Sequence, residues 1–330
     1  MTSISPGRPL ISIVVPVFNE EANVLPFYKA VVAVTDTLEP EYHFEFVFTD
    51  NHSSDQTFAI LKTLASQDQR VRAFRFSRNF GFQRSIMTGY NKARGDAAIQ
   101  LDVDLQDPPE LIAHFLAEWK LGAEVVYGVR VQRRESWLIT VQRALFYRII
   151  DRLSEERIPV DAGDFRLISR KIIDILTKYE DAQPYLRGTI ATMGFKQVGI
   201  PYSRNARLRG ESKFPFSKLV SLAVDGILNH STVPLRISTY FGLTVSAITL
   251  VGTVGYASAK LLFGSRWPAG FATLALLGLL SISINAMLLG IIGEYLGRLY
   301  RQSKKQPLTI IEDVAGGDSE PEFSLHDINA

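Results

Sequence analysis

Asp102, Asp104, Gln106 and Asp107 crowd into Leu101-Asp102-Val103-Asp104-Leu105-Gln106-Asp107-Pro108-Pro109, directly after an apolar run over 97–101. The run reads as a buried strand that continues through Val103. The carboxylates of Asp102 and Asp104 would then share one face of an extended chain at its carboxyl end. Hard oxygen ligands so placed suit Mg²⁺ or Mn²⁺, and an ion of that kind usually keeps substrate phosphates in its shell. Pro108-Pro109 stops the strand and can open a helix. An Asp-x-Asp pair alone is most often a solvated turn, so its meaning depends on the elements that position it.

Those elements alternate. Residues 11–17 form a continuous β-rich run, followed by an amphipathic helix through about residue 37. A second strand is expected over 44–49, a helix over 56–65, a strand over 71–76, a helix over 80–93 and the strand over 97–103. This alternation predicts a parallel sheet with helices on both faces, which binds ligands beyond the carboxyl ends of its strands. Phe18-Asn19-Glu20-Glu21, Asp50-Asn51-His52-Ser53-Ser54-Asp55 and the Asp102 cluster all fall at such ends. A further strand is expected over 124–127.

The chain has 330 residues, 36 basic and 34 acidic, so no global field argues for nucleic acid. The absence of cysteine excludes disulfides, thiolate metal sites and thiol nucleophiles, and suits a reducing compartment. Residues 237–259 and 267–293 carry no charge, and each run exceeds the ~20 residues that span a bilayer core as a helix. Joined by the short Gly264-Ser265-Arg266 segment, they are expected to form a transmembrane hairpin (237–263 and 267–293). Gly and Ser along the runs allow close helix contact, and Asn285 could bond across an interface.

Lys213, Lys218 and Arg236 precede the hairpin and Arg298, Arg301, Lys304 and Lys305 follow it, whereas the linker offers Arg266, with Lys260 able to snorkel. The positive-inside rule therefore places both termini and the large N-terminal part in the cytoplasm. No cleavable signal peptide is expected, because the first apolar run follows Pro9 and is too short. Organisation is thus expected as an extension over 1–9, an α/β domain over 10–212, a juxtamembrane segment over 213–236, the two spans, and a basic stretch with a mobile tail over 294–330.

The motifs carry a resemblance. Val14-Val15-Pro16-Val17-Phe18-Asn19-Glu20 resembles the opening of the inverting GT-A glycosyltransferases of family 2. Asp50-Asn51-His52-Ser53-Ser54-Asp55 does too, with His52 where the family text usually has Gly. Phe76-Ser77-Arg78-Asn79-Phe80-Gly81, Gly89, Ala93-Arg94-Gly95-Asp96 and Asp104-Leu105-Gln106-Asp107-Pro108-Pro109-Glu110 are similar to the polyprenyl-phosphate sugar transferases. With two C-terminal spans, the resemblance points to the bactoprenol glucosyltransferase branch over about residues 10–305. The fold it implies is a Rossmann-like GT-A nucleotide-sugar-binding domain with interfacial amphipathic helices and two transmembrane helices.

The resemblance also implies roles. Pro16, Phe18, Glu20 and Asp50 would border the nucleoside, with Asp50 accepting from a uracil imide N–H. Arg78, Asn79 and Gly81 would start a helix near the phosphates. Asp102, Asp104 and Gln106 would form the metal and sugar-phosphate set. Arg130, together with Arg207 and Lys213 of Arg207-x-x-Gly210-x-Ser212-Lys213-Phe214, would bind phosphate. Asp164, in Gly163-Asp164-Phe165-Arg166, would lie near the acceptor, as a catalytic residue that orients it or acts as a general base, or as a structural partner that balances Arg166.

Simpler roles compete. Asp50 and Asp55 can make turns and caps. Arg133-Arg134 and the amphipathic stretches over 137–153 and 216–228 can meet lipid headgroups or pack on the sheet. The activity implied is inverting transfer of a hexose, glucose from UDP-glucose, to undecaprenyl or dolichyl phosphate. The same reaction with mannose from a GDP donor or with an aminoarabinose-type sugar, and an inactive nucleotide-sugar-binding scaffold, stay open, as does a homo-oligomer. Two spans and no Gln-x-x-Arg-Trp motif argue against a processive synthase.

Overall fold

The computed structural model describes residues 7–130, 162–179, 184–204, 270–303 and 307–317, with isolated positions between 235 and 262. The chain divides into two units: Met1–Thr140, Ile158–Lys213 and Lys305–Ala330 make the first, and Val141–Arg157 and Phe214–Lys304 the second.

The first unit contains, in chain order, β1 (Leu10–Val17), α1 (Val24–Leu38), β2 (His43–Asp50), α2 (Thr57–Gln67), β3 (Val71–Phe76), α3 (Phe82–Lys92), β4 (Ala97–Gln100), α4 (Leu111–Lys120) and β5 (Val125–Arg130). It continues through β6 (Ala162–Ser169), α5 (Arg170–Leu176), α6 (Leu186–Thr192) and β7 (Gln197–Tyr202). In the second unit α7 (Phe271–Ser303) follows, and the chain returns to the first unit as β8 (Ile311–Ala315).

The eight strands form one sheet in the order β7-β5-β6-β4-β1-β2-β3-β8. β1 pairs in parallel with β2 and β4, β2 with β3, and β5 with β7. The sheet is nevertheless mixed, not parallel throughout as the alternation predicts, because β6 runs antiparallel to β4 and β5, and β8 antiparallel to β3. Ile11, Ile13, Val15 and Val17 of β1 point to one core with Phe27 and Val31 of α1, Leu61 of α2 and Phe115 of α4. Val14 and Val47 point to the other, against Ile86 and Tyr90 of α3, Ile172 and Ile173 of α5 and Ile190 of α6. Burial on both faces explains why these strands read as continuous apolar runs.

Three expectations need correction. The strand before the acidic cluster ends at Gln100 and does not reach Val103. Arg130 closes β5 and does not follow it, since the strand runs through Gly128 and Val129. The segment after 306 is no mobile tail where it is described: Ile311–Ala315 supplies an edge strand, because β3 offers it a free row of backbone groups.

In the second unit α7 has 33 residues and continues past 293 through Arg298 and Arg301. Its large apolar side chains Leu274, Leu277, Ile282, Met287, Leu289 and Leu296 are exposed. Among the described residues no helix is long and apolar enough to cross a membrane. The amphipathic stretches over 137–153 and 216–228, and most of 237–263, lie outside the described residues.

Candidate active site

β1 lies between β2 and β4 with all three parallel, and the chain steps outward to β3 before returning to β4 on the other side. The carboxyl ends of β1 and β4 therefore bound the crevice where strand order reverses, the usual ligand position in such sheets. Two buried side-chain polar atoms lack a partner among the described residues, Asp50 Oδ2 and Gln100 Oε1. They belong to the last residues of β2 and β4, on either side of β1.

The loops after β1 and β2 are stitched together. Asn19 N donates to Ser53 Oγ (2.9 Å), Ser54 N to Asn19 Oδ1 (2.8 Å), and Glu20 N to Thr57 Oγ1 (2.8 Å). Asp55 accepts from Thr57 N at 3.0 Å and from Glu21 N at 3.2 Å. Burial alone would raise its pKa, but these bonds hold it below the usual carboxylate value. Asp55 is thus a turn-builder, its simpler role. His52 occupies the left-handed region at φ 63°, the conformation for which Gly is customary, and its Nδ1–H donates to Phe76 O (2.9 Å).

Around this frame, Pro16 is buried within β1, Phe18 is 46% exposed, and Glu20 Oε2 accepts from Asn23 Nδ2 at the start of α1. Asp50 is fully buried: Oδ1 accepts from Ser53 N (3.1 Å) and Ser53 Oγ, and Oδ2 lies 4.0 Å from Arg75 Nη1. Burial raises its pKa against the opposing bonds from Ser53. At the end of β3, Asn79 Oδ1 accepts from Gly81 N, Phe80 N donates to Asn51 Oδ1, and the Arg78 guanidinium lies 4.2 Å over the Phe80 ring. Gly81, at φ 95°, leads into α3, and the N-terminal end of a helix suits an anion.

Beyond Gln100 the chain turns, with Leu105 at φ 54°, so Asp102 and Asp104 do not alternate along an extended strand. Asp104 Oδ1 accepts from Gln106 N (3.1 Å), and Asp102 Oδ1 from Gln100 Nε2 (2.8 Å). Burial, then the charges of Asp164, Asp107 and Asp104, push the Asp102 carboxyl up to about 7. Among the described residues no three His, Asp or Glu side chains form a ready metal cage. The donor set nevertheless fits a hard divalent cation: two carboxylates and an amide leave coordination positions for phosphate oxygens and water, and a half-buried acid repelled by three others is relieved by positive charge.

A melting experiment follows from this. Folded Asp102 keeps its proton up to about 7, against an ordinary value of 3.8. Between those values the native state binds more protons, so stability falls as pH rises through the window. Without added cation, the melting point of Asp102→Asn relative to the unaltered protein is expected to climb from pH 4 to pH 7. Mn²⁺ should stabilise the unaltered protein more at pH 8 than at pH 5. A pH-independent difference between the two proteins would show that Asp102 is not so placed.

Basic groups gather beside these acids. Asp107 accepts from Tyr202 Oη and from Arg204 Nε (3.1 Å), with Arg130 Nη2 at 3.8 Å, and Arg130 Nε donates to Tyr202 Oη (3.2 Å). Arg130 is therefore anchored at the shared end of β5 and β7, with its charge already opposed by Asp107. Asp164, on β6, makes a bidentate pair with Arg187 of α6, Nε–Oδ1 2.7 Å and Nη2–Oδ2 2.5 Å. Burial would raise its pKa, but Arg187 lowers it, the reverse of what a general base needs near neutrality. Its structural role is the one the geometry supports, with Arg187 as partner in place of Arg166, which donates to Gly163 O. Arg187 went unrecognised in the sequence because it belongs to no motif. Arg207 and Lys213, like Arg133 and Arg134, lie outside the described residues.

Residues 12–176 match the family described as Glycosyl transferase family 2. An uncharacterised glycosyltransferase of Bacillus subtilis, YkcC, is 39% identical over 306 residues, covering 92% of this chain and 94% of its own. The prophage bactoprenol glucosyl transferase homolog of Escherichia coli is 36% identical over 308 residues, covering 92% and 99%. Among solved structures, a mannosyltransferase from Pyrobaculum calidifontis in complex with GDP-Man and Mn²⁺ aligns at TM-score 0.47 and 16% identity, over 91% of this chain and 87% of its own. The chain belongs to glycosyl transferase family 2 and is a glycosyltransferase of the α/β GT-A type, related to the bactoprenol glucosyl transferases.

Proposed function

We propose that the protein transfers a hexose, glucose from UDP-glucose, to a polyprenyl phosphate with inversion, at the cytoplasmic face of a membrane. The observation that carries this reading is the carboxylate cluster at the β4 end of the switch-point crevice, in a chain whose relatives of nearly equal length are named bactoprenol glucosyl transferases. The membrane placement is supported by the charge-free runs over 237–259 and 267–293 and by the exposed apolar side chains of α7.

In this reading a phosphate oxygen of the lipid attacks the anomeric carbon as the bond to the nucleotide breaks, and the nucleoside diphosphate leaves with the electron pair. The second pKa of a phosphomonoester is near 6, so the acceptor is ionised without a protein base. Asp164, clamped by Arg187, is then free of any proton-transfer duty. Asp102, Asp104 and Gln106 would hold Mg²⁺ or Mn²⁺, which supplies Lewis-acid neutralisation of the pyrophosphate leaving group. Pro16, Phe18, Glu20 and Asp50 border the nucleoside, and Arg78, Asn79 and Gly81 border the phosphates at the start of α3. Arg130, Arg207 and Lys213 screen the approach of two anions.

Incubation of the full chain with undecaprenyl phosphate and radiolabelled donors tests the assignment. Label from UDP-glucose is expected in the lipid extract. Label passing only from GDP-mannose would move the sugar within the class. Label recovered only in water-soluble polymer, or no transfer from any donor, would overturn the acceptor.

A further inference from the structure

β8 makes a specific contact with the loops just described. It pairs Arg75 with Asp313 and Phe76 with Ile311, so one residue, Glu312, is extra on the β8 side. A bulge of this kind turns a side chain out of the ladder. Glu312 Oε2 lies 3.3 Å from His52 Nδ1 and 3.7 Å from Arg75 Nε. Arg75 in turn donates from Nη2 to Ser53 O (3.2 Å), and its Nη1 lies 4.0 Å from Asp50 Oδ2, the orphaned acceptor at the end of β2. The strand is secured on both sides of the bulge: Ser77 N donates to Ile310 O (2.9 Å), Thr309 Oγ1 is bonded to Thr88 Oγ1 (2.8 Å), and Lys62 Nζ lies 2.7 Å from Asp313 Oδ2.

We propose that β8 is a positioning element of the donor site, with Glu312 as the residue through which it acts. Glu312 gives the left-handed His52 a second acceptor and draws the Arg75 guanidinium away from full pairing with Asp50. Without it, the Arg75 charge falls on Asp50 alone, and the loop over 51–54 loses one of its holds. Both changes weaken nucleotide binding. The donor loop thereby depends on a strand that follows α7 in sequence, α7 ending at Ser303 and β8 beginning at Ile311. The inference rests on the donor-side reading of Asp50 and the 51–54 loop and is independent of which lipid accepts the sugar.

The test uses the full chain with E312A, E312Q and E312K. The Kd for UDP with Mn²⁺, and for GDP in parallel, is expected to rise about three- to fivefold in E312A, the scale of partly exposed ion pairs, and about tenfold in E312K, where like charges meet. E312Q keeps an acceptor for His52 and should fall between the unaltered protein and E312A. The kcat and the acceptor KM should stay within about twofold, since no group at the metal or acceptor side is touched. Amide exchange over 51–54 should quicken in step with the loss of affinity. Nucleotide affinity unchanged in E312A and E312K would overturn the proposal even if melting temperature fell, because β8 would then be structural only. Failure of the unaltered protein to bind either nucleotide would also overturn it. Intact nucleotide binding without transfer to lipid would instead refute the proposed acceptor and leave the role of Glu312 standing.

Discussion

Asp104→Asn is expected to lower turnover at least ~10³-fold, about 4 kcal/mol at the transition state, with the melting temperature nearly unchanged. The expectation comes from how the two acids of the motif are held. Asp102 is the inner group, bonded to Gln100 and lifted to about 7 by burial and by Asp164, Asp107 and Asp104. Asp104 is half-buried in the turn and spends one oxygen on Gln106 N. Asn preserves an acceptor for that turn bond and removes the charge a hard cation needs, so folding is spared and coordination is not. Excess chelator should silence the unaltered protein to the same extent, with recovery on adding Mn²⁺ or Mg²⁺. Asp55→Asn is the contrasting variant. Asp55 ties the 51–57 and 18–21 loops together, so its loss should appear chiefly in stability and donor KM. An Asp104→Asn protein of undiminished activity, or turnover indifferent to chelator, would remove the metal from the mechanism.

The central strands were legible because each is an apolar run buried on both faces; β3, Val71–Phe76, coincides with its expected bounds. The ends of those strands pointed to the candidate site, since polar clusters after β1, β2, β3 and β4 stand out against such runs. What stayed hidden depends on partners distant in sequence. β6 opens with Ala162-Gly163-Asp164, poor strand formers, and exists because β4 and β5 flank it on both sides. β8 is five residues among Pro, Gly and acids, held by an edge more than 230 positions earlier, which no local pattern registers. The extended run assumed for Asp102 and Asp104 failed after Gln100, where the strand ends and the chain turns over 103–105, a turn that no local propensity marks. His52 shows the reverse. The departure from Gly left the loop's backbone open in the sequence, and its ring supplies bonds that hold the left-handed conformation.

Disruption of the Asp164–Arg187 pair is expected to cost about 2–3 kcal/mol of stability, or roughly 5–10 °C in melting temperature. Removing one partner of a fully buried pair costs about 3–5 kcal/mol, and the lower figure reflects an Arg187 side chain that is 38% exposed. Asp164→Asn and Arg187→Gln should each destabilise, and the double variant should recover part of the loss because no unpaired charge is left behind. The pH dependence has a definite sign. Arg187 lowers the Asp164 pKa in the folded state, so the pair's contribution is present above the ordinary carboxylate value and fades as pH falls through the depressed one. The unaltered protein should therefore lose its advantage over Asp164→Asn only in acid. Activity separates the structural role from the catalytic one. A general base contributes about 10²- to 10⁴-fold and leaves a limb in the pH–rate profile. Because the proposed acceptor, a phosphomonoester, is already ionised, Asp164→Asn assayed below its melting range should keep kcat within about tenfold and the same profile near neutrality. A loss of 10³-fold with disappearance of a limb near neutral pH would return Asp164 to the catalytic step and make the Arg187 pair a feature that opens when substrate binds.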